Sequence, residues 1–90
     1  MMQHVNIRVV GKVQGVYYRA STLEKAQQLG VTGFVRNEPD DSVYLEAEGT
    51  PEQLEQLLLW CRQGPPRAKV EQVDVRPSEY VGFTRFEITR

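Results

Sequence analysis

Apolar and polar positions alternate over residues 4–10. Val5, Ile7 and Val9 fall on one face, Asn6 and Arg8 on the other. A period of two with one apolar face predicts a half-buried strand. The period then lengthens: Ala20, Leu23, Ala26 and Leu29 recur about once per helical turn, which predicts a helix over 21–29 with Gly30 as its C′ residue. Residues 31–37 are rich in β-branched and aromatic types, and Val43, Leu45 and Ala47 alternate with Tyr44, Glu46 and Glu48. Between them, Glu38-Pro39-Asp40-Asp41-Ser42 is made of turn formers, so an antiparallel hairpin is expected.

The second helix announces its own start. Thr50 suits the N-cap, Pro51 the first helical position, and Gln53 the third position of a capping box. Leu54, Leu57, Leu58 and Cys61 then form one apolar stripe, with Trp60 beside it and half-buried. Gly64-Pro65-Pro66 stops the helix. A fourth strand is predicted over 69–76 with Val73 and Val75 inward, then a loop over 77–82, then a short strand around Phe86 and Ile88. The order β-α-β-β-α-β, plus a last short strand, predicts an α+β fold. Its expected form is the ferredoxin-like split βαβ sandwich, with two helices on one face of a four- to five-stranded antiparallel sheet. No linker, repeat or low-complexity tract interrupts it, so residues 1–90 are expected to form a single domain.

Composition narrows the partners. The 90 residues carry a net charge of −1, so nothing draws the whole molecule to nucleic acid or an anionic membrane. Any attraction for an anion must be local. There is no apolar run near the ~20 residues a spanning helix needs, and no N-terminal signal pattern. The single cysteine, Cys61, cannot form an internal disulfide. These features lead to the expectation of a cytoplasmic protein with no membrane partner.

The candidate chemistry lies between the first strand and the first helix, in Gly11-Lys12-Val13-Gln14-Gly15-Val16-Tyr17-Tyr18-Arg19. Glycines let successive backbone N–H groups turn inward and form a nest for an anion. A helix start adds free N–H groups and a partial positive charge. Arg19 adds a planar fork that fits phosphate. The backbone of Gln14, Gly15, Val16, Tyr17 and Tyr18 is the expected cradle. The spacing matches neither a nucleotide P-loop nor a dinucleotide fingerprint, so the residues alone say "small anion, phosphate by preference". Arg19 read alone is also a surface arginine, though the helix dipole disfavours a cation there. Asn37, at the end of the second strand, reads more simply as a turn initiator.

This stretch resembles the phosphate loop of acylphosphatases, whose pattern is G-x-V-Q-G-V-x-[FM]-R. Gly33-Phe34-Val35-Arg36-Asn37 resembles the family's second motif, with Val43 and Gly49 at its later positions. The resemblance implies an enzyme that hydrolyses a small acyl phosphate to a carboxylate and inorganic phosphate. It implies that Arg19 binds the phosphate and Asn37 holds the attacking water. It implies no metal, no cofactor and no phosphoenzyme, with inorganic phosphate as product and competitive inhibitor. A monomer is expected.

Two positions depart from the family pattern. Tyr18 stands where Phe or Met is common, so its hydroxyl needs a partner if buried. Asp41 stands where a glycine is common, and a turn there with φ > 0 suits Asp better than most residues. Other residues tempt less. His4 falls on the outer phase of the first strand and is read as a surface residue without a catalytic role. Cys61 is a core thiol, and Glu38, Asp40 and Asp41 form a solvated turn, not a metal site. Two rival readings share parts of this pattern. A ferredoxin-like RNA binder would carry aromatic and basic residues on its central strands, and Glu46 and Glu48 count against that. An anion-binding module without turnover would carry the same loop, and only activity separates it from an enzyme.

Overall fold

The computed structural model describes residues 1–89. Strand β1 (Gln3–Lys12) leads to helix α1 (Tyr18–Leu29), then to β2 (Thr32–Asn37) and β3 (Val43–Gly49). Helix α2 (Pro51–Gln63) follows, then β4 (Lys69–Ser78) and β5 (Phe86–Ile88). The five strands form one sheet in the order β4-β1-β3-β2-β5. α1 packs on β2 and β5, α2 on β4, β3 and β1, and the helices touch each other. The expected ferredoxin-like arrangement is present, with the helices on one face.

One feature differs from the expectation of an all-antiparallel sheet. β5 pairs parallel to β2, with Gly33 opposite Phe86 and Val35 opposite Ile88, so the sheet is mixed. A strand that returns on the far side of β2 has no hairpin partner there, and its direction is set by where the chain comes from. That long-range fact leaves no local mark on the sequence.

The register sorts the side chains. In β1 and β3, Val5 faces Ala47, Ile7 faces Leu45 and Val9 faces Val43. Ile7, Val9, Val43, Leu45 and Ala47 are buried under the helices, joined by Val35, Ala26, Leu54, Leu57 and Cys61. Each large apolar side chain so buried contributes about 1.5–3 kcal/mol. α2 starts with the full capping box: Thr50 accepts from the Gln53 N–H, and the Gln53 side chain accepts from the Thr50 N–H. Gly30 closes α1 at φ 78° with bonds back to Ala26 and Gln27. α1 starts three residues before the expected 21–29, and its buried positions are Tyr18, Thr22 and Ala26. Thr22 enters the core because its hydroxyl donates to the Tyr18 carbonyl at 2.7 Å.

The outer face carries the main correction. His4 is read from the sequence as a surface residue and Glu48 as an outward one; both are buried. They face each other across β1 and β3. The loop before β5 folds over them. Glu48 accepts from His4 Nδ1 at 2.7 Å and from the backbone N–H groups of Val81, Gly82 and Phe83. His4 Nε2 meets Asn6 Oδ1 and Glu46 Oε1, both at 2.9 Å. All three partners of the ring are acceptors, so both ring nitrogens donate and the ring is a cation. The Phe83 ring covers the pair, 5.7 Å from the imidazole centroid.

These contacts shift both groups. Burial pushes the Glu48 carboxyl up, but the hydrogen bonds from His4 and the three amides outweigh it and hold it below its ordinary 4.5. Burial pulls His4 down, but its bonds to Glu48, Asn6 and Glu46 together hold it above its ordinary 6.5. The Glu48 contribution to stability is complete above pH 4.5 and is lost as pH falls through its depressed folded value. The His4 contribution is complete below pH 6.5 and is lost as pH rises through its raised folded value. Urea midpoints measured across pH are therefore expected to show an acid limb absent from Glu48→Gln and an alkaline limb absent from His4→Gln. Glu48→Ala should cost about 3–5 kcal/mol, because it strands a buried cation and three amides.

Candidate active site

β1 ends in a bulge. Its register with β4 slips between Val10 and Gly11. Gly11 passes so close to β4 that an added Cβ would lie 2.1 Å from the Lys69 carbonyl oxygen. The bulge turns the chain out of the sheet and into the loop. There Gly15 has φ 73° and Tyr17 φ 66°, while Val16 between them is not in the left-handed region. Such alternation points consecutive N–H groups to one side, which is the geometry of an anion nest. Tyr17 is the N-cap of α1. It makes no side-chain cap, and the first turn holds no acidic residue. A left-handed tyrosine costs roughly 1–2 kcal/mol, which the surrounding fold must sustain.

The contrast with α2 is informative. There Thr50 and Gln53 close the N-terminus and Glu52 lies in the first turn. In α1 the amides of the first turn are left for something other than the chain's own side chains.

A cavity of about 400 Å³ opens at this point. Gly15, Tyr17, Tyr18, Arg19 and Ala20 line it from the loop and the first helical turn. Asn37 lines it from the end of β2. Arg19 and Asn37 are thus brought to one cavity. The sheet register explains Asn37: Gly33, Val35 and Asn37 face Ala47, Leu45 and Val43, so Asn37 occupies a core-facing phase. Its Oδ1 is buried and has no hydrogen-bond partner among the described residues. A buried acceptor left so costs about 1–3 kcal/mol. Among the described residues no carboxylate pairs with Arg19, whereas Arg8 pairs with two and Arg36 and Arg85 with one each.

Gln14 and Val16 do not line the cavity with their side chains. Val16 is buried in the core. The Gln14 amide donates to the carbonyls of Glu38 and Ser42, each at 2.9 Å. It therefore ties the loop to the turn that follows Asn37. Arg8 holds the same turn through Ser42 at 2.8 Å and Asp40 at 3.2 Å. Asp41 has φ 74°, as its place in the turn leads one to expect. Hydrogen bonds from Ser42 and the nearby Arg8 charge hold the Asp40 carboxyl below its ordinary value.

The Tyr18 hydroxyl has the partner it needs. It donates to the Cys61 carbonyl at 2.7 Å, one of the free carbonyls at the end of α2. Burial pushes the Tyr18 phenol well above its ordinary value. Cys61 is fully buried and its thiol is pushed up to about 12, chiefly by burial, so it is no nucleophile at neutral pH. Arg67 and Ile88 also line the cavity, and the sequence reading missed both. Ile88 owes its position to the parallel pairing of β5. Arg67 lies in the α2–β4 turn, and no local pattern marks it.

A sequence model of the acylphosphatase family matches residues 5–88. The chain belongs to the acylphosphatase family. An acylphosphatase of Methylococcus capsulatus is 52% identical over 90 residues, covering 99% of this chain and 98% of that one. The solved acylphosphatase of Coxiella burnetii superposes with a TM-score of 0.95 at 33% identity, over 98% of this chain and 93% of its own. That of Bacillus subtilis gives 0.93 at 33% identity, with both chains fully covered. Tyr18 gives the family scaffold a polar link between the 11–19 loop and α2. Tyr18→Phe is expected to lower the unfolding free energy by about 1–3 kcal/mol, because it leaves a buried carbonyl unpaired. Denaturant titration of the two proteins checks this.

Proposed function

We propose that this acylphosphatase works by gripping the phosphoryl group at the α1 terminus and directing a water at it from Asn37. The backbone N–H groups from Gln14 to Tyr18 and the Arg19 guanidinium bind the phosphoryl oxygens. The Asn37 carboxamide holds the water. An oxygen lone pair of that water attacks phosphorus, the bond from phosphorus to the acyl oxygen breaks, and the carboxylate leaves with the electron pair. A phosphoryl oxygen takes the proton of the attacking water. Phosphoryl transfer asks a protein mainly for positioning and charge stabilisation, and a carboxylate already leaves readily. No phosphoenzyme and no metal enter this scheme.

The observation that carries the reading is the unpartnered Asn37 Oδ1 in the same cavity as Arg19 and the uncapped start of α1. A water hydrogen-bonded there meets the buried acceptor's need and stands beside the anion site. The reading takes the protein as a cytoplasmic monomer in which one domain carries the whole reaction. Inorganic phosphate fits the cradle as product and competitive inhibitor.

Hydrolysis of benzoyl phosphate tests this. Arg19→Ala and Asn37→Ala should each lower turnover by roughly 10²-fold or more, as loss of one preorganised donor does elsewhere. Arg19→Ala should also weaken inhibition by inorganic phosphate, whereas Asn37→Ala should leave it nearly intact. Turnover in EDTA should match turnover without it. Near-normal rates in either variant would refute the assignment.

A further inference from the structure

The phosphoryl group does not exhaust the cavity. A group of that size displaces only a few waters at about 30 Å³ each, against a cavity of about 400 Å³. The rest of the lining differs in character from the cradle. The exposed Tyr17 ring, Ala20 and Ile88 offer apolar surface, and Arg67 offers a second guanidinium. No Asp or Glu lines the cavity. Among the described residues no carboxylate pairs with Arg67 either.

The backbone turn that carries Arg67 is tied down. It follows Gly64-Pro65-Pro66, and the Ala68 N–H closes the turn on the Pro65 carbonyl at 3.0 Å. The Tyr18 ring packs so near Gly64 that an added Cβ there would lie 2.9 Å from it. Tyr18 is the first residue of α1, so the Arg67 turn is keyed to the anion loop itself. Two guanidiniums lining one cavity repel each other, and a ligand with negative charge at two places satisfies both. The loop amides and Arg19 meet the demand of one phosphoryl group. Arg67 comes from another element, the α2–β4 turn, and lines the same cavity as Tyr17 and Ile88.

We propose that Arg67 is a specificity residue that favours acyl phosphates whose acyl group carries a second anionic group. The acyl chain packs on Tyr17 and Ile88, and its charged end meets Arg67. The inference rests on the phosphate being bound by the 11–19 loop as proposed above.

The test compares benzoyl phosphate with its 3- and 4-carboxy derivatives, in the parent protein and in Arg67→Gln, Arg67→Lys and Arg67→Glu. The parent should prefer the better of the two carboxylated substrates, and added salt should erode that preference. Arg67→Gln should lower the ratio of kcat/KM, carboxylated over plain, by about three- to tenfold. The change should lie in KM. Arg67→Lys should keep part of the preference and Arg67→Glu should reverse it. An unchanged ratio overturns the proposal, whether both rates fall together or neither does. If both fall together, Arg67 grips the shared phosphate. Parent turnover of plain benzoyl phosphate tests the underlying reading separately, since the ratio between substrates does not enter it.

Discussion

The structure depends on a helix that begins without a cap. Tyr17 enters α1 in the left-handed conformation, and neither a Ser, Thr, Asp nor Asn side chain satisfies the first amides. A helix terminus in this state holds several unmet donors and a partial positive charge, and both are relieved by an anion. The chain could have closed this end, because it closes the other helix with a complete capping box. The open terminus is thus a property of α1 alone. It also gives Arg19 its context: a cation in the first turn is disfavoured by the helix dipole and becomes favourable when an anion lies between them.

Three side chains that the proposed reaction does not use hold this arrangement. Gln14 bridges the loop to the turn after Asn37, Tyr18 bridges the start of α1 to the end of α2, and Arg8 anchors the same turn from the neighbouring strand. Each satisfies carbonyl or hydroxyl groups that would otherwise need water. Arg19 and Asn37 therefore sit on segments whose spacing is set by hydrogen bonds, not by the loop's own stiffness. Precise positioning of this kind is what phosphoryl transfer needs most.

Much of this is visible in the residues. The strands and helices follow the hydrophobic period, and the α2 capping box is spelled out by Thr50, Pro51 and Gln53. Asn37 could have been placed on the helix side by counting in twos from Gly33 and Val35, which share its face. Read as a turn former, it hides that phase. What stays hidden is non-local. His4 and Glu48 look like outer-face residues of two half-exposed strands, and they are. They are buried because a loop more than thirty residues further on folds over them. The same applies to Ile88, placed by a parallel pairing, and to Arg67, placed by contact between the two helix ends.

β5 contributes only three residues to the sheet and lies at its edge, on the opposite side from β4. Edge strands with few ladder bonds open at lower free energy than central ones. The cavity wall that carries Ile88 is consequently the pliant one, while the wall at the start of α1 is braced by Gln14 and Tyr18. A cavity built this way holds its shape at the loop end and yields at the β5 end.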